Sequence, residues 1–205
     1  MKLPSETETA AAAAAAAADA DASLISRAAQ GSGDAFSELF NRYYPAIHAF
    51  AWRLTLCPAE AADIAQDTFI HAARSLGGFR REASFKNWLH TIAVNKSRDR
   101  HRQRLRRERL SSELAALQAG EDADACDDDI RFSGDGIAPR HVALRDALAA
   151  LPGELREAVV LVYYENLNHA GAARILGCAE STVSWRIFRA KQKLKRRLRN
   201  PSLRE

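Results

Sequence analysis

An all-α fold is predicted, built from two small helical domains joined by a flexible acidic linker, and three observations carry the prediction. Apolar residues recur at a 3.6-residue period through most of the chain. Aromatic residues make up only 7% of the 205 positions, with 10 Gly and 6 Pro, while Ala, Leu, Arg and Glu recur at helical spacing. Charge is arranged in blocks: net −3 over 1–23, +7 over 24–110, −6 over 111–140 and +6 over 141–205. Two basic modules separated by an acidic strip imply two places where a polyanion docks and a connector that the polyanion repels. The second module carries the signature of a helix-turn-helix.

The first 23 residues are Ala-rich, with only Leu3 as a bulky side chain to bury, and read as a disordered tail. After Gly31-Ser32-Gly33, Asp34 is placed to cap a helix in which Phe36, Leu39, Phe40, Tyr43, Ile47, Phe50 and Leu54 form the inward stripe. A second helix starts at Cys57-Pro58 and ends at Gly77-Gly78, with Ile64, Thr68, Phe69, Ala72 and Leu76 inward. On its other side Asp63, Gln66, Asp67 and Ile70 fall at i, i+3, i+4 and i+7, which gathers two carboxylates and an exposed branched residue on one face.

A loop then leads to Ser84, the N-cap of a helix that turns Phe85, Trp88, Leu89, Ile92 and Ala93 inward. Past Val94 the apolar pattern stops. Lys96 to Arg109 holds eight Lys or Arg against Asp99 and Glu108, a density that fits an anionic partner better than a merely solvated face.

The stretch 111–140, with Asp127-Asp128-Asp129, reads as the linker. Helicity resumes at His141 with Leu144, Ala147, Leu148 and Leu151. Leu151-Pro152-Gly153 breaks it, and Leu155, Ala158, Val159 and Val162 mark the next helix. From Asn168, Ala172, Ala173, Ile175 and Leu176 form a short helix, Gly177 the turn, and Val183, Ile187, Ala190 and Leu194 a second helix. That second helix presents Ser181, Ser184, Trp185, Phe188, Arg189 and Gln192 outward and ends in a run of Lys and Arg. Side chains suited to base edges are thus followed by side chains suited to phosphates.

Several of these stretches, taken together, resemble the extracytoplasmic-function group of bacterial sigma-70 factors. Ala61-Ala62-Asp63-Ile64-Ala65-Gln66-Asp67-Thr68-Phe69 is similar to that family's polymerase-binding helix, and Phe79-Arg80 through Ser84-Phe85-Lys86-Asn87-Trp88-Leu89 to its promoter-melting region. Leu151-Pro152, Arg156-Glu157-Ala158-Val159 and Ile175 through Ile187 are similar to its second DNA-binding domain.

The resemblance implies a sigma factor that binds core RNA polymerase and directs initiation at promoters by recognising −10 and −35 elements. It assigns 24–110 to region 2, 141–199 to region 4, and 200–205 to a tail. Polymerase contacts would fall on Asp63, Gln66, Asp67 and Ile70. Contacts to the −10 element would come from Phe79, Arg80, Arg81, Ser84, Lys86, Asn87, Trp88, His90, Asn95, Lys96, Arg98 and Arg100. Ser181, Thr182, Ser184, Trp185, Arg186, Phe188, Arg189 and Lys193 would meet the −35 element, with Trp185 either on a thymine methyl or packed against its own domain. Partners implied are core polymerase, promoter DNA and an anti-sigma protein.

Two other classes compete. A free-standing helix-turn-helix repressor would need a dimerisation surface to span two half-sites, and a nucleic-acid-processing enzyme would need an acid-base or metal site. The sequence offers neither. His48, His71, His90, His101, His141 and His169 are scattered, and Cys57, Cys126 and Cys178 lack paired ligand spacing, so no metal, cofactor, small-molecule substrate or disulfide framework is expected. Ala10 to Ala18 lacks the basic start of a secretion signal, no segment suits membrane insertion, and a reducing cytoplasm is the expected setting.

Overall fold

A computed structural model describes residues 21–115 and 139–199. Most of the expected N-terminal tail, most of the expected linker and the tail 200–205 lie outside the described residues. The described chain contains helices and no strand. The helices are α1 (21–29), α2 (Gly33–Thr55), α3 (Pro58–Ser75), α4 (Phe85–Ala115), α5 (Pro139–Ala149), α6 (Gly153–Val159), α7 (His169–Leu176) and α8 (Glu180–Arg199).

The first bundle packs α2, α3 and α4 around Leu39, Ile47, Phe50, Ile64 and Leu89, all buried. An N-cap forms where sequence placed one, but on Ser32 rather than Asp34: the Ala35 amide donates to Ser32 Oγ at 3.3 Å, and Asp34 sits in the first turn, where its charge meets the positive helix end. The expected tail also ends earlier than residue 23. Helix α1 is already formed over 21–29, Leu24 and Ile25 enter the core, and Asp21 accepts from Arg42 at 2.5 Å and from the Tyr43 hydroxyl. Pro58 occupies the first turn of α3 as expected. Ser84 caps α4 through Oγ, which accepts from the Asn87 amide at 3.2 Å.

Helix α4 runs on to Ala115, five residues into the stretch expected to be linker. Residues 101–110 are exposed all round, so the helix has no core beneath it there.

In the second bundle α6, α7 and α8 bury Leu155, Ala158, Val160, Leu161, Ile175, Leu176, Val183 and Ile187. Pro152 precedes α6, and a π-turn at Val160–Tyr164 ends the helix that the 3.6-residue pattern carried through Val162. Asn168 caps α7 by accepting from the Gly171 amide at 2.8 Å. Gly177 ends it at φ +65°, a conformation that costs a Cβ-bearing residue, with the Cys178 amide donating to the Ala173 carbonyl at 3.1 Å. The two bundles touch: α4 packs on α7 and α2 on α6, and their buried apolar residues form one continuous cluster.

Candidate nucleic-acid interface

Three surfaces carry the residues singled out by sequence. On α3, Asp63, Gln66 and Ile70 are exposed and Asp67 is half-buried, with Ile64, Thr68 and Phe69 buried on the opposite side. Ile70 is 44% exposed, a large apolar side chain that a merely solvated helix face would seldom display. Both carboxylates are engaged within the chain. Arg100 reaches across from α4, Nη1 donating to Asp63 Oδ2 at 2.8 Å and Nη2 to Asp67 Oδ2 at 3.0 Å. Arg100, expected among the −10 contacts, therefore lies on the acidic face of α3.

The second surface is the loop from Gly77 to Ala83 and the start of α4. Leu76–Gly78 forms a 3-10 turn closed by the Phe79 amide on the Leu76 carbonyl at 3.1 Å. Phe79 stacks near Trp88 (5.0 Å between ring centroids) and edge-on to Phe85 (5.7 Å), and Tyr43 abuts Phe85 from α2. This aromatic base props up the loop, leaving Arg80, Arg81 and Ser84 exposed above it. Arg81 sits at φ +57° with Nη2 donating to the Ala22 carbonyl at 3.1 Å, so helix α1 pins the loop from below.

Along α4, Asn95 is exposed, Asn87 and Lys96 are partly so, and the remaining candidates depart from a free basic face. His90 is fully buried against Phe50, with 4.3 Å between ring centroids, rather than presented for DNA contact. Burial pushes its pKa down to about 4, against the pull of Glu165 3.6 Å away, and neither ring nitrogen finds a hydrogen-bond partner. Lys86 Nζ lies 2.8 Å from Glu165 Oε2. Arg98 grips Glu157 bidentately, Nε to Oε1 at 3.0 Å and Nη2 to Oε2 at 2.7 Å, and that hydrogen bonding raises its pKa.

The third surface is α8. Ser181, Ser184, Trp185, Phe188, Arg189 and Lys193 are exposed, Thr182 partly so. Trp185 and Phe188 are 57% and 58% exposed, so of the two placements open for Trp185 the outward one is found. The Arg189 guanidinium lies 5.7 Å from the Trp185 ring centroid. Ser184 is tied to His169 Nδ1 at 2.8 Å. Arg186 departs from the outward face: its side chain is mostly buried and Nη2 donates to Glu154 Oε2 at 2.7 Å, linking α8 to α6.

Sequence reasoning passed over Glu157 and Glu165, the acidic residues that hold these cations. A signal for Glu157 was present, since it stands among Leu155, Ala158 and Val159, all three of them buried with it. For Glu165 no periodicity exists to break, because it closes a π-turn. Among the described residues no group of three His, Cys, Asp or Glu could hold a metal ion, and no helix is long and apolar enough to cross a membrane.

Comparison with known proteins fits this arrangement. The family model for Sigma-70 region 2 matches residues 39–107, and that for Sigma-70 region 4 matches residues 141–194. The chain is 34% identical over 190 residues to the RNA polymerase sigma-H factor of Pseudomonas aeruginosa, covering 89% of this chain and 95% of that one. It is 39% identical over 176 residues to the extracytoplasmic-function sigma factor SigM of Mycobacterium tuberculosis, covering 83% and 82%. Among solved structures, the sigma factor RpoE of Bartonella quintana, in complex with the anti-sigma factor NepR, superposes with a TM-score of 0.64 at 28% identity, covering 80% of this chain and 96% of that one. CnrH, in complex with the cytosolic domain of CnrY, superposes at 0.61 with 28% identity, covering 87% and 97%. With both region models in order along the chain and relatives matched over nearly their whole length, this protein belongs to the extracytoplasmic-function group of sigma-70 RNA polymerase sigma factors.

Proposed function

We propose that the three surfaces divide promoter recognition among them. The face of Asp63, Gln66, Asp67 and Ile70 docks on core polymerase. The loop from Phe79 to Ser84 and the first turns of α4, through Asn87, Trp88, Asn95 and Lys96, open and read the −10 element, joined by Lys86 and Arg98 once their carboxylate partners withdraw. Ser181, Thr182, Ser184, Trp185, Phe188, Arg189 and Lys193 meet the −35 element. The domain limits are 24–110 and 141–199, joined by the acidic stretch between them.

The observation that carries this reading is α8. It displays two large aromatic side chains and Arg189 on one face, and a cationic run through Lys195, Arg196 and Arg197 follows along the same helix. Exposed aromatics beside a basic run suit a groove that offers thymine methyls and base edges flanked by phosphates. The protein acts without a catalytic centre of its own, in the cytoplasm where polymerase and chromosome are found. Because the RpoE structure holds the anti-sigma factor NepR, an anti-sigma protein that covers these surfaces is part of the proposal. Run-off transcription with purified core polymerase tests it. Transcripts that require this protein and disappear when either promoter element is scrambled support the reading. Repression of a promoter served by another sigma factor would favour the free-standing repressor.

A further inference from the structure

Helix α1 lies before the stretch matched by the region 2 family model, which begins at residue 39, and its first residues fall in the stretch read from sequence as a tail. It is nevertheless built into the first bundle, with Leu24 and Ile25 buried. Asp21, its side chain 17% exposed, accepts from Arg42 Nη1 at 2.5 Å and from the Tyr43 hydroxyl, which fixes the outer end of the Tyr43 ring. That ring meets Phe85 edge-on, 5.3 Å between centroids, and Phe85 in turn carries Phe79 at 5.7 Å and Trp88 at 5.6 Å. One residue further along α1, the Ala22 carbonyl accepts from Arg81 Nη2 at 3.1 Å. Both ties from α1 therefore end on the loop before α4, one through its aromatic base and one at its middle.

Arg81 holds φ +57°, a left-handed backbone that a residue with a Cβ keeps only where its surroundings over-determine it. Arg80, also exposed, makes no ion pair or side-chain hydrogen bond with the described residues. We infer that α1 is the strut of the −10 loop: Asp21 is a positioning residue acting through Tyr43 and Phe85, and Arg81 ties the loop to α1 rather than contacting DNA, which leaves Arg80 to meet phosphate. The inference rests on the reading of this loop as the part that opens and reads the −10 element. A single strand is gripped by stacking and by phosphate contacts, and both lose affinity when the loop presenting them must first be ordered. A strut acts on that ordering cost and adds no contact. Its mark is a loss of affinity with no change in salt dependence, because the number of phosphates neutralised stays the same. Plain electrostatics predicts the opposite sign for Asp21, since removing a carboxylate makes the protein more cationic and should tighten its hold on a polyanion.

The test uses holoenzyme assembled from core polymerase and the full chain, bound across a salt series to a fork-junction DNA that carries the −10 element alone. Asp21→Ala should weaken binding about tenfold, the worth of one hydrogen bond to a charged group, with the salt slope unchanged. Arg81→Ala should weaken it less, because its bond is open to water, and again without a change of slope. Arg80→Ala should flatten the slope by about 0.7 units, the value for one phosphate of a single strand. Affinity for core polymerase should match wild type in all three. Tyr43→Phe keeps the ring and removes only the hydroxyl that Asp21 holds. It should show the same kind of loss, and it decides the matter if Asp21→Ala also lowers core affinity. Wild-type or tighter DNA binding by Tyr43→Phe, or by an Asp21→Ala variant that keeps its core affinity, overturns the strut. So does an Arg81→Ala variant whose slope flattens like that of Arg80→Ala. If scrambling the −10 element leaves the affinity of the wild-type holoenzyme unchanged, the reading of the loop fails instead, a distinct outcome.

Discussion

His90 offers a stability prediction whose size follows from its surroundings. The ring is buried against Phe50, and burial lowers its pKa from the ordinary 6.5 to about 4, with Glu165 too weak an attraction to reverse the shift and Lys86 opposing protonation. A depressed value means that the unfolded chain takes up the proton first. The stabilisation is therefore complete above the unfolded value and is lost as pH falls from 6.5 towards 4. At about 1.4 kcal/mol per pKa unit the full loss is about 3 kcal/mol, of which about 2 kcal/mol is gone by pH 5. Urea unfolding at pH 7 and pH 5 measures it, with His90→Phe as the control because a phenyl ring keeps the stack on Phe50 and removes the titration. Carboxylates contribute to both proteins equally, so the difference between the two pH slopes isolates His90. Equal losses in the two proteins would refute the reasoning, since a ring that titrates normally in the fold gives no such difference.

Three further outcomes follow from the surfaces. Asp63→Arg with Asp67→Arg should abolish polymerase binding in a pull-down while the circular dichroism spectrum stays near wild type, because both side chains point away from Ile64 and Phe69 and like charges across an interface cost several kcal/mol, and the melting midpoint should fall modestly with the loss of both Arg100 pairs. Changing Lys195, Arg196 and Arg197 to Ala should weaken binding on all −35 sequences alike and flatten its salt dependence by about one unit of slope per phosphate contact, whereas Arg189→Ala should cost about 1–3 kcal/mol only at the preferred −35 element. Gly177→Ala should destabilise the second domain by about 1–2 kcal/mol in chemical denaturation. A Cβ there meets no neighbour within 4 Å, so the whole penalty comes from its φ of +65°.

Helix positions were legible because they depend on local rules. The stripe Ile64, Thr68, Phe69, Ala72 and Leu76 on α3 is buried as its spacing requires, and Ser84, Pro152 and Gly177 stop or start helices where their backbone preferences place them. Misplaced boundaries have local causes of another kind. Asp34 and Ser32 are both competent caps two residues apart, and the helix already begins at Gly33, which leaves the cap position to Ser32 and puts Asp34 in the first turn. Helix α4 outruns its apolar pattern because a chain rich in Arg, Leu and Glu favours the helix with no core to bury. The site was legible only on its outward faces. Where His90, Arg98, Arg100 and Arg186 ended up depends on carboxylates 32 to 75 positions away in the chain, and no window of sequence holds both partners.

That dependence changes what the cationic run on α4 means. Eight Lys or Arg between Lys96 and Arg109 suggested a face waiting for a polyanion. Yet Arg98 is spent on Glu157, Arg100 on Asp63 and Asp67, Arg102 on Asp99, and Arg104 on Glu108 and, at 3.8 Å, Glu60. At least half of the run is thus neutralised by the chain itself: Arg98, Arg100 and Arg104 reach other elements, while Arg102 pairs within α4. The pairs differ in how they answer to salt. Arg102 and Arg104 are largely exposed and their pairs contribute little once screened, so a phosphate can recruit them at small cost. Arg98 is held bidentately by a nearly buried carboxylate, and drawing it away leaves that carboxylate without its counter-charge. Density of charge in a sequence therefore measures the capacity to bind nucleic acid, whereas the pairing in the fold decides which part of that capacity is available at small cost.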